Sequence, residues 1–286
     1  MLIAVHGATG AQGGPLVRRL LAEGHRVRAI ARNPDPRRLP VGAEPAPADL
    51  LDVEALVRAY EGVGGVVAVL PGGAADDVAV AQADATLEAL RRAGVPRAVF
   101  IAGGAVWSTP PGLPFLDART RLAQGLARAV PTAIVVGPAT AYMENLSEAC
   151  IVERLRADGE LVQVAPAGAK MSPVAMDDVA SAIAEVLVKD DPPPRVIVHG
   201  PGEVTGEEAA RIIESHIGRP VRWTQVSPEE YLRGVAGGLG EQYARNIGRL
   251  YGTGANVPPP AAPGPETRHV TGTTTLAEWV PTQRWD

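Results

Sequence analysis

The chain has 286 residues, 46% of them apolar and 21% charged, which excludes a disordered polypeptide and supplies a sizeable core for one large domain or two modest ones. Lysine and arginine total 27 against 32 acidic residues, and the net charge of −5 argues against a nucleic-acid binder with its basic face. One cysteine, Cys150, excludes an intramolecular disulfide and a cysteine-cluster metal site.

No apolar run approaches the roughly 18 residues that a membrane helix needs. The start, MLIAVHGATG, lacks a basic n-region ahead of an apolar stretch, so a cytoplasmic chain without membrane attachment is expected. The only lysines are Lys170 and Lys189, beside 25 arginines; GC-rich coding accounts for the bias.

Short apolar runs alternate with helical patterns through the first half. LIAVH (2–6), RVRAIA (26–31), VVAVL (66–70), AVFIA (98–102) and AIVVG (133–137) read as strands, with a weaker strand near 44–48. Between them, 16–24, 53–60, 78–94 and 119–129 carry a helical period. Strands alternating with helices predict βαβ units, and their continuous rather than alternating apolar character predicts a parallel sheet buried on both faces. Further on, 172–188 reads as a short strand and then a helix with Asp177 and Asp178 in its first turn, at the positive end of the helix dipole. A strand is expected at 195–200, a helix at 206–218 closed by Gly218, and a half-buried strand at 221–226. Residues 252–267, rich in proline and glycine, read as an exposed, loosely ordered loop, and no internal repeat is present.

The strongest motif is His6-Gly7-Ala8-Thr9-Gly10-Ala11-Gln12-Gly13, which follows the first strand and opens the first helix. Glycines there let the chain turn tightly and let a dinucleotide's phosphates reach the backbone N–H groups and the dipole of the helix N-terminus. Arg32 stands at the end of the second strand, where an NAD-specific protein carries an acid, and 29–33 contain none. A guanidinium there favours the 2′-phosphate of NADP(H) through charge-assisted bonds. Arg37 and Arg38 either add to that field or are solvated surface charges. His6 is expected to pack in the interior beside the loop rather than to act in catalysis.

The stretch GATGAQGGPLVRRLLAEGHRVRAIARNP (7–34), with its G-x-x-G-x-x-G spacing, resembles the NmrA-like group of atypical short-chain dehydrogenases/reductases. The resemblance continues in Ala48-Asp49-Leu50, Val69-Leu70-Pro71, GPATAYMENL (137–146), SPVAMDDVASAIAEVL (172–187) and HVTGTTTLAEWV (269–280). It implies that Asp49 and Leu50 lie beside the adenine, and that Leu70 and Pro71 end a cofactor-lining strand. It also implies that the segment holding Pro138, Ala139, Thr140, Tyr142 and Asn145 borders the nicotinamide and the substrate. The group contains NADPH-dependent quinone reductases, a triphenylmethane reductase and non-catalytic redox-sensing regulators.

Ordinary short-chain dehydrogenases use a tyrosine with a lysine four residues later. None of Tyr60, Tyr142, Tyr231, Tyr243 and Tyr251 has one, and the strand at 98–102 runs into Gly103-Gly104 instead of a serine. Ser108, a few residues on, is read as a loop serine. Arg119 stands where many members of the group carry a lysine, and its high pKa makes it a poor proton donor. The catalytic residues are therefore unassigned, with Tyr142 and Arg119 as candidates. Trp107, Phe115, Tyr142, Met143 and Met171 either line an aromatic-binding pocket or belong to the core, and Asn145 either orients a substrate or caps a turn. The five histidines show no metal-ligand spacing, so no metal site is expected.

These features predict an α/β protein with a Rossmann-type doubly wound parallel sheet at 1–145 and a smaller α+β substrate region at 146–286, of which 172–200 packs back on the sheet. The expected activity is NADPH-dependent hydride transfer to a quinone or related conjugated aromatic; the alternative is a non-catalytic NADP-binding redox sensor of the NmrA type. The expected partner is a small aromatic or quinone-like molecule, and the oligomeric state, a homodimer included, is left open.

Overall fold

A computed structural model describes residues 1–250, 260 and 262–285 of the chain, the side chain of Leu250 excepted. The first half runs β1 (Leu2–His6), α1 (Gly13–Ala22), β2 (Arg26–Ala31), β3 (Ala43–Pro47), α2 (Val53–Tyr60), β4 (Gly65–Val69), α3 (Asp76–Arg92), β5 (Arg97–Ile101), α4 (Pro114–Ala129) and β6 (Thr132–Pro138). After a 3₁₀ turn at Met143–Ser147 come α5 (Ala149–Asp158), β7 (Glu160–Gln163), β8 (Lys170–Met171), α6 (Met176–Val188), β9 (Arg195–His199) and β10 (Val204–Thr205). The chain continues through α7 (Gly206–Ile217), β11 (Arg222–Gln225), α8 (Pro228–Leu239), α9 (Glu241–Leu250), β12 (Thr267–Thr271) and α10 (Leu276–Trp279).

Eight strands form one parallel sheet in the order β12-β9-β6-β5-β4-β1-β2-β3, a Rossmann-type doubly wound arrangement. Its strands bury side chains on both faces, which is why they read as unbroken apolar runs. On one face Leu16, Val17 and Leu20 of α1 and Val179, Ile183 and Leu187 of α6 join Ile3, Val5 and Val99 in one core. On the other, Leu56 and Tyr60 of α2, Leu90 of α3 and Leu122 and Leu126 of α4 close over Ala4, Val66 and Phe100. Chain order reverses between β1 and β4, and the loops leaving the carboxyl ends of these strands flank the crevice where ligands of open α/β sheets bind.

The rest of the second half builds a smaller α+β unit. Two two-stranded sheets, β10-β8 antiparallel and β11-β7 parallel, accompany α5, α7, α8 and α10 around a core containing Met143, Leu155, Leu161, Ile213, Tyr231 and Trp279. Helix α7 starts with a capping box between Thr205 and Glu208 and ends on Gly218 in the left-handed region, φ 70°.

Several elements differ from the sequence reading. Helix α4 begins at Pro114, not near 119, because proline is well suited to a helix's first turn. In place of a strand at 172, β8 ends at Met171 and only Val174 bridges, to Tyr142. Of the stretch read as a loop, 251–259 and 261 lie outside the described residues, while Thr267 begins β12, the eighth strand of the main sheet. That strand lies at the edge and leaves its residues exposed or half-buried, so it lacks the apolar run of a central strand. Helices α5, α8 and α9 were also absent from the sequence reading.

Candidate functional site

The glycine loop is built by close approach. Gly7 has φ 59°, and its N–H donates to Ile30 O at 3.0 Å, which ties the loop to β2. Its carbonyl accepts from Gly10 N at 2.8 Å, and a Cβ on Gly13 would lie only 2.4 Å from that same oxygen. Helix α1 thus presses against the end of β1, as close helix–strand packing at a dinucleotide loop requires. Gly7, Gly10 and Ala11 are exposed, Thr9 and Gln12 half-buried and Ala8 fully buried, so the loop presents backbone to the crevice from a fixed base. Gln12 makes no side-chain cap and the first turn holds no acid, which leaves the positive end of the helix dipole available to an anion. The cradle therefore fits a phosphate-bearing dinucleotide.

Below the loop, His6 is 1% exposed and its Nε2 lies 2.6 Å from the Tyr60 hydroxyl, the two rings being stacked. Burial pushes its pKa down to about 4, so the ring is neutral and structural, in line with the packing role read from the sequence. The arginines after β2 separate by their partners. Arg37 is bound through two nitrogens to Asp35. Arg32 is exposed, and among the described residues no carboxylate pairs with it.

The other strand ends converge on the same edge of the sheet. Exposed Asp49 turns the chain after β3 by accepting Leu51 N at 2.9 Å, and Asp52 then caps α2. After β4, Leu70 is buried and Pro71 exposed. Pro138, the last residue of β6, is buried, and half-buried Ala139 just after it donates its N–H to Val198 O at 2.8 Å. The exposed Thr140 hydroxyl donates to Ser172 O at 2.8 Å.

Tyr142 is 8% exposed, and its hydroxyl is buried without a hydrogen-bond partner. Burial raises its pKa, with Glu144 adding to the rise and Arg119 opposing it. Arg119 is half-buried, donates to Phe115 O at 2.9 Å and Leu70 O at 3.2 Å, and sits 5.6 Å from the centre of the Phe115 ring. Trp107 and Phe115 come together with Leu113 and Leu116 in a small separate apolar cluster. Asn145 is exposed, Met143 is buried in the core of the smaller unit, and Met171 is half-buried in β8. Ser108 is exposed, and its carbonyl accepts from Gln124. Tyr251 lies outside the described residues.

Two features escaped the sequence reading. The Glu144 carboxylate accepts from Met176 N at 3.1 Å and from Trp279 Nε1 at 3.1 Å, so it caps α6 and anchors α10. Helix α9 reaches over the β4–α3 loop: Asn246, fully buried, donates to Gly72 O and Ala74 O, and Arg249 pairs with Asp76. The Tyr243 ring lies so close to Gly72 that a Cβ there would meet it at 2.6 Å. Both features join segments far apart in the chain, which no local pattern announces. Among the described residues no group of three metal-ligating side chains occurs, and no helix is long and apolar enough to cross a membrane.

Solved structures share this fold over nearly the whole chain. Triphenylmethane reductase from Citrobacter sp., complexed with NADP(H), is 22% identical, with a TM-score of 0.73 over 98% of this chain and 99% of that one. An NADPH-dependent quinone oxidoreductase from Escherichia coli, complexed with NADPH, is 20% identical, with a TM-score of 0.69 over 98% and 99%. The negative transcriptional regulator NmrA is 19% identical, with a TM-score of 0.65 over 88% and 82%. No curated protein sequence matches at a significant level. The sequence profile of the NmrA-like family matches residues 1–257, and the chain belongs to that family.

Proposed function

We propose that the protein is an NADP(H)-dependent reductase that delivers hydride to a quinone or a related conjugated aromatic. The observation that carries the cofactor reading is Arg32: an exposed guanidinium at the carboxyl end of β2, with no acid in 29–33 and no carboxylate paired to it among the described residues. In this reading the backbone from Gly7 to Gly13, including Ala8, Thr9, Gly10, Ala11 and Gln12, cradles the pyrophosphate at the start of α1. Arg32 takes the 2′-phosphate. Asp49 and Leu50 flank the adenine, and Leu70, Pro71, Pro138, Ala139 and Thr140 hold the nicotinamide end. When bound, the nicotinamide supplies the hydride.

The chain's own part is orientation and an apolar acceptor site to which Trp107, Phe115, Tyr142 and Asn145 contribute. With no tyrosine–lysine pair in the sequence, the acceptor is one whose reduced oxygen is stable enough to take its proton from water. A quinone meets that condition and a simple ketone does not. The reading carries a location with it: an NADPH-consuming reductase with a free thiol at Cys150 suits the reducing cytoplasm.

The second reading, a redox-sensing regulator that binds NADP without turnover, is favoured by the same missing tyrosine–lysine pair. Calorimetric titration with NADPH and NADH tests the cofactor assignment, with NADPH expected to bind at least tenfold more tightly. Equal affinities would overturn it.

A further inference from the structure

Arg195, the first residue of β9, is the one half-buried arginine among the described residues that makes no hydrogen bond and no ion pair. The others of similar burial are all engaged. Arg28, Arg97 and Arg119 donate to backbone carbonyls, Arg249 pairs with Asp76 and Arg268 with Glu185. Residues 251–259 and 261 contain no acid that would supply Arg195 with a partner. A charge taken partly out of water is ordinarily paired, and burial here acts against the charged form.

The strand register fixes what surrounds this cation. On one face of the sheet, Val136 of β6 and Val196 and Val198 of β9 are buried in the core that α6 closes. On the opposite face, Val135 of β6 lies beside Arg195, and Arg195 beside Thr267 of β12. Two residues on, the next row of that face is Gly137, Ile197 and His269. Val135, Arg195, Ile197 and Thr267 are half-buried and His269 is exposed, so this face lies open beyond α4. It carries Arg195, His199 and His269 and no acid on the three strands.

A cavity of about 170 Å³ opens on this face, and Arg195 is its only charged lining residue among those described. Val135, Gly137 and Ile197 give it an apolar floor. Gly104 of the β5–α4 loop also lines it, and a Cβ there would have nothing within 4 Å, so the loop leaves the space unfilled. An apolar cavity of about 150 Å³ accepts one benzene ring. The space therefore suits a single flat ring, and the charge suits an anion.

We propose that this cavity binds a monocyclic aromatic carboxylate, its ring on Val135 and Ile197 and its carboxylate held by the planar fork of Arg195. The site goes beyond the reductase reading, whose nicotinamide-end residues Pro138 and Ala139 border the same cavity. Binding there needs neither NADPH nor turnover. Arg195 pairs with Val135, three residues before the end of β6 and so about 10 Å from the edge where the cofactor is placed.

The test is titration calorimetry of the full-length protein with benzoate, benzamide and acetate. Benzoate should bind at least tenfold more tightly than benzamide, which lacks the charge, and than acetate, which lacks the ring. Arg195→Met should bring benzoate down to the level of benzamide while the circular dichroism spectrum and NADPH affinity stay as in the wild type. Ile197→Phe, which fills the floor with a ring, should abolish binding of both aromatic probes.

Equal binding of benzoate and benzamide by the wild-type protein would overturn the site. So would undiminished benzoate binding by a folded Arg195→Met protein, or inorganic phosphate bound as tightly as benzoate. If Arg195→Met fails to fold, the wild-type comparison and Ile197→Phe decide. Self-association that Arg195→Met dissolves, with no benzoate bound by the wild type, would give the cation to a second copy of the chain and overturn the site. NADPH titrated separately keeps the two readings distinct: benzoate preference without NADPH binding sinks the reductase alone, and the reverse result sinks this site alone.

Discussion

Arg32 and Arg37 occupy the same turn after β2 and differ in what holds them. Asp35 occupies the Arg37 guanidinium, whereas Arg32 carries an exposed charge with no acid paired to it among the described residues. Loss of a charge-assisted hydrogen bond costs about 1.5–3 kcal/mol, so Arg32→Ala should weaken NADPH binding by about tenfold or more and leave NADH binding unchanged. Titration calorimetry checks this, and Arg37→Ala serves as the control with little effect. Position alone made Arg32 legible in the sequence, because a strand end is a local feature. Arg119 was legible as a departure from the group's lysine, but its two carbonyl partners, Phe115 O and Leu70 O, were not, since they depend on where α4 and the β4 end place it. A pH effect belongs at this scale too. Burial pushes Glu148 up to about 7 and His6 down to about 4. Between pH 7 and the ordinary carboxylate value of 4.5 the folded chain holds a Glu148 proton that the unfolded chain loses, so acidification stabilises the fold through Glu148. His6 acts oppositely: below 6.5 the unfolded chain takes a proton that the fold excludes, and stability is lost as the pH falls towards 4. Each term is worth about 1–3 kcal/mol, with the partly exposed Glu148 at the lower end. Glu148→Gln removes one of the two opposed terms. Its melting temperature should fall more steeply than that of the wild type between pH 7 and 5, and parallel curves would contradict this.

Elements of the first half were legible because each strand of a doubly wound sheet is buried on both sides and announces itself as an apolar run. The later elements were not. Strand β12 is a half-exposed edge strand, and α8 and α9 take their place from distant partners such as the β4–α3 loop, which Asn246 of α9 bonds at Gly72 O and Ala74 O. Asn246→Ala leaves those two carbonyls facing a buried gap, and an unsatisfied buried polar group costs about 1–3 kcal/mol. The midpoint of chemical unfolding should drop accordingly; an unchanged midpoint would mean that α9 is not docked there. The start of α1 separates structure from binding. A Cβ on Gly13 would meet Gly7 O at 2.4 Å, so Gly13→Val should disrupt the helix–strand contact and lower the melting temperature sharply. Gly10 is exposed, and a Cβ there meets only Gly7 O, at 3.2 Å. Gly10→Val should therefore keep the circular dichroism spectrum while its side chain fills the space over the loop and abolishes NADPH binding. Wild-type affinity in Gly10→Val would reduce the glycine loop to a structural turn.

At the scale of the whole molecule, the second half of the chain both completes the main sheet and closes over its edge. Strands β9 and β12 extend the sheet beyond β6, α6 covers one face beside α1, and α9 fastens the smaller unit to the β4–α3 loop. We retain as a proposal the division into a cofactor-binding part at 1–145 and a substrate part at 146–286. The sheet's completion by later strands makes that division one of role rather than of independent folding. The NmrA-like family frame accommodates both reductase and regulator, and what separates them is turnover. The deciding measurement follows NADPH absorbance after quinones of increasing electron affinity are added to the purified protein, with NADH as the alternative donor. An NADP(H)-dependent reductase oxidises NADPH in proportion to quinone reduced, at least tenfold faster than NADH at equal concentration. Tight NADPH binding with no oxidation by any quinone would contradict the reductase and leave the regulator.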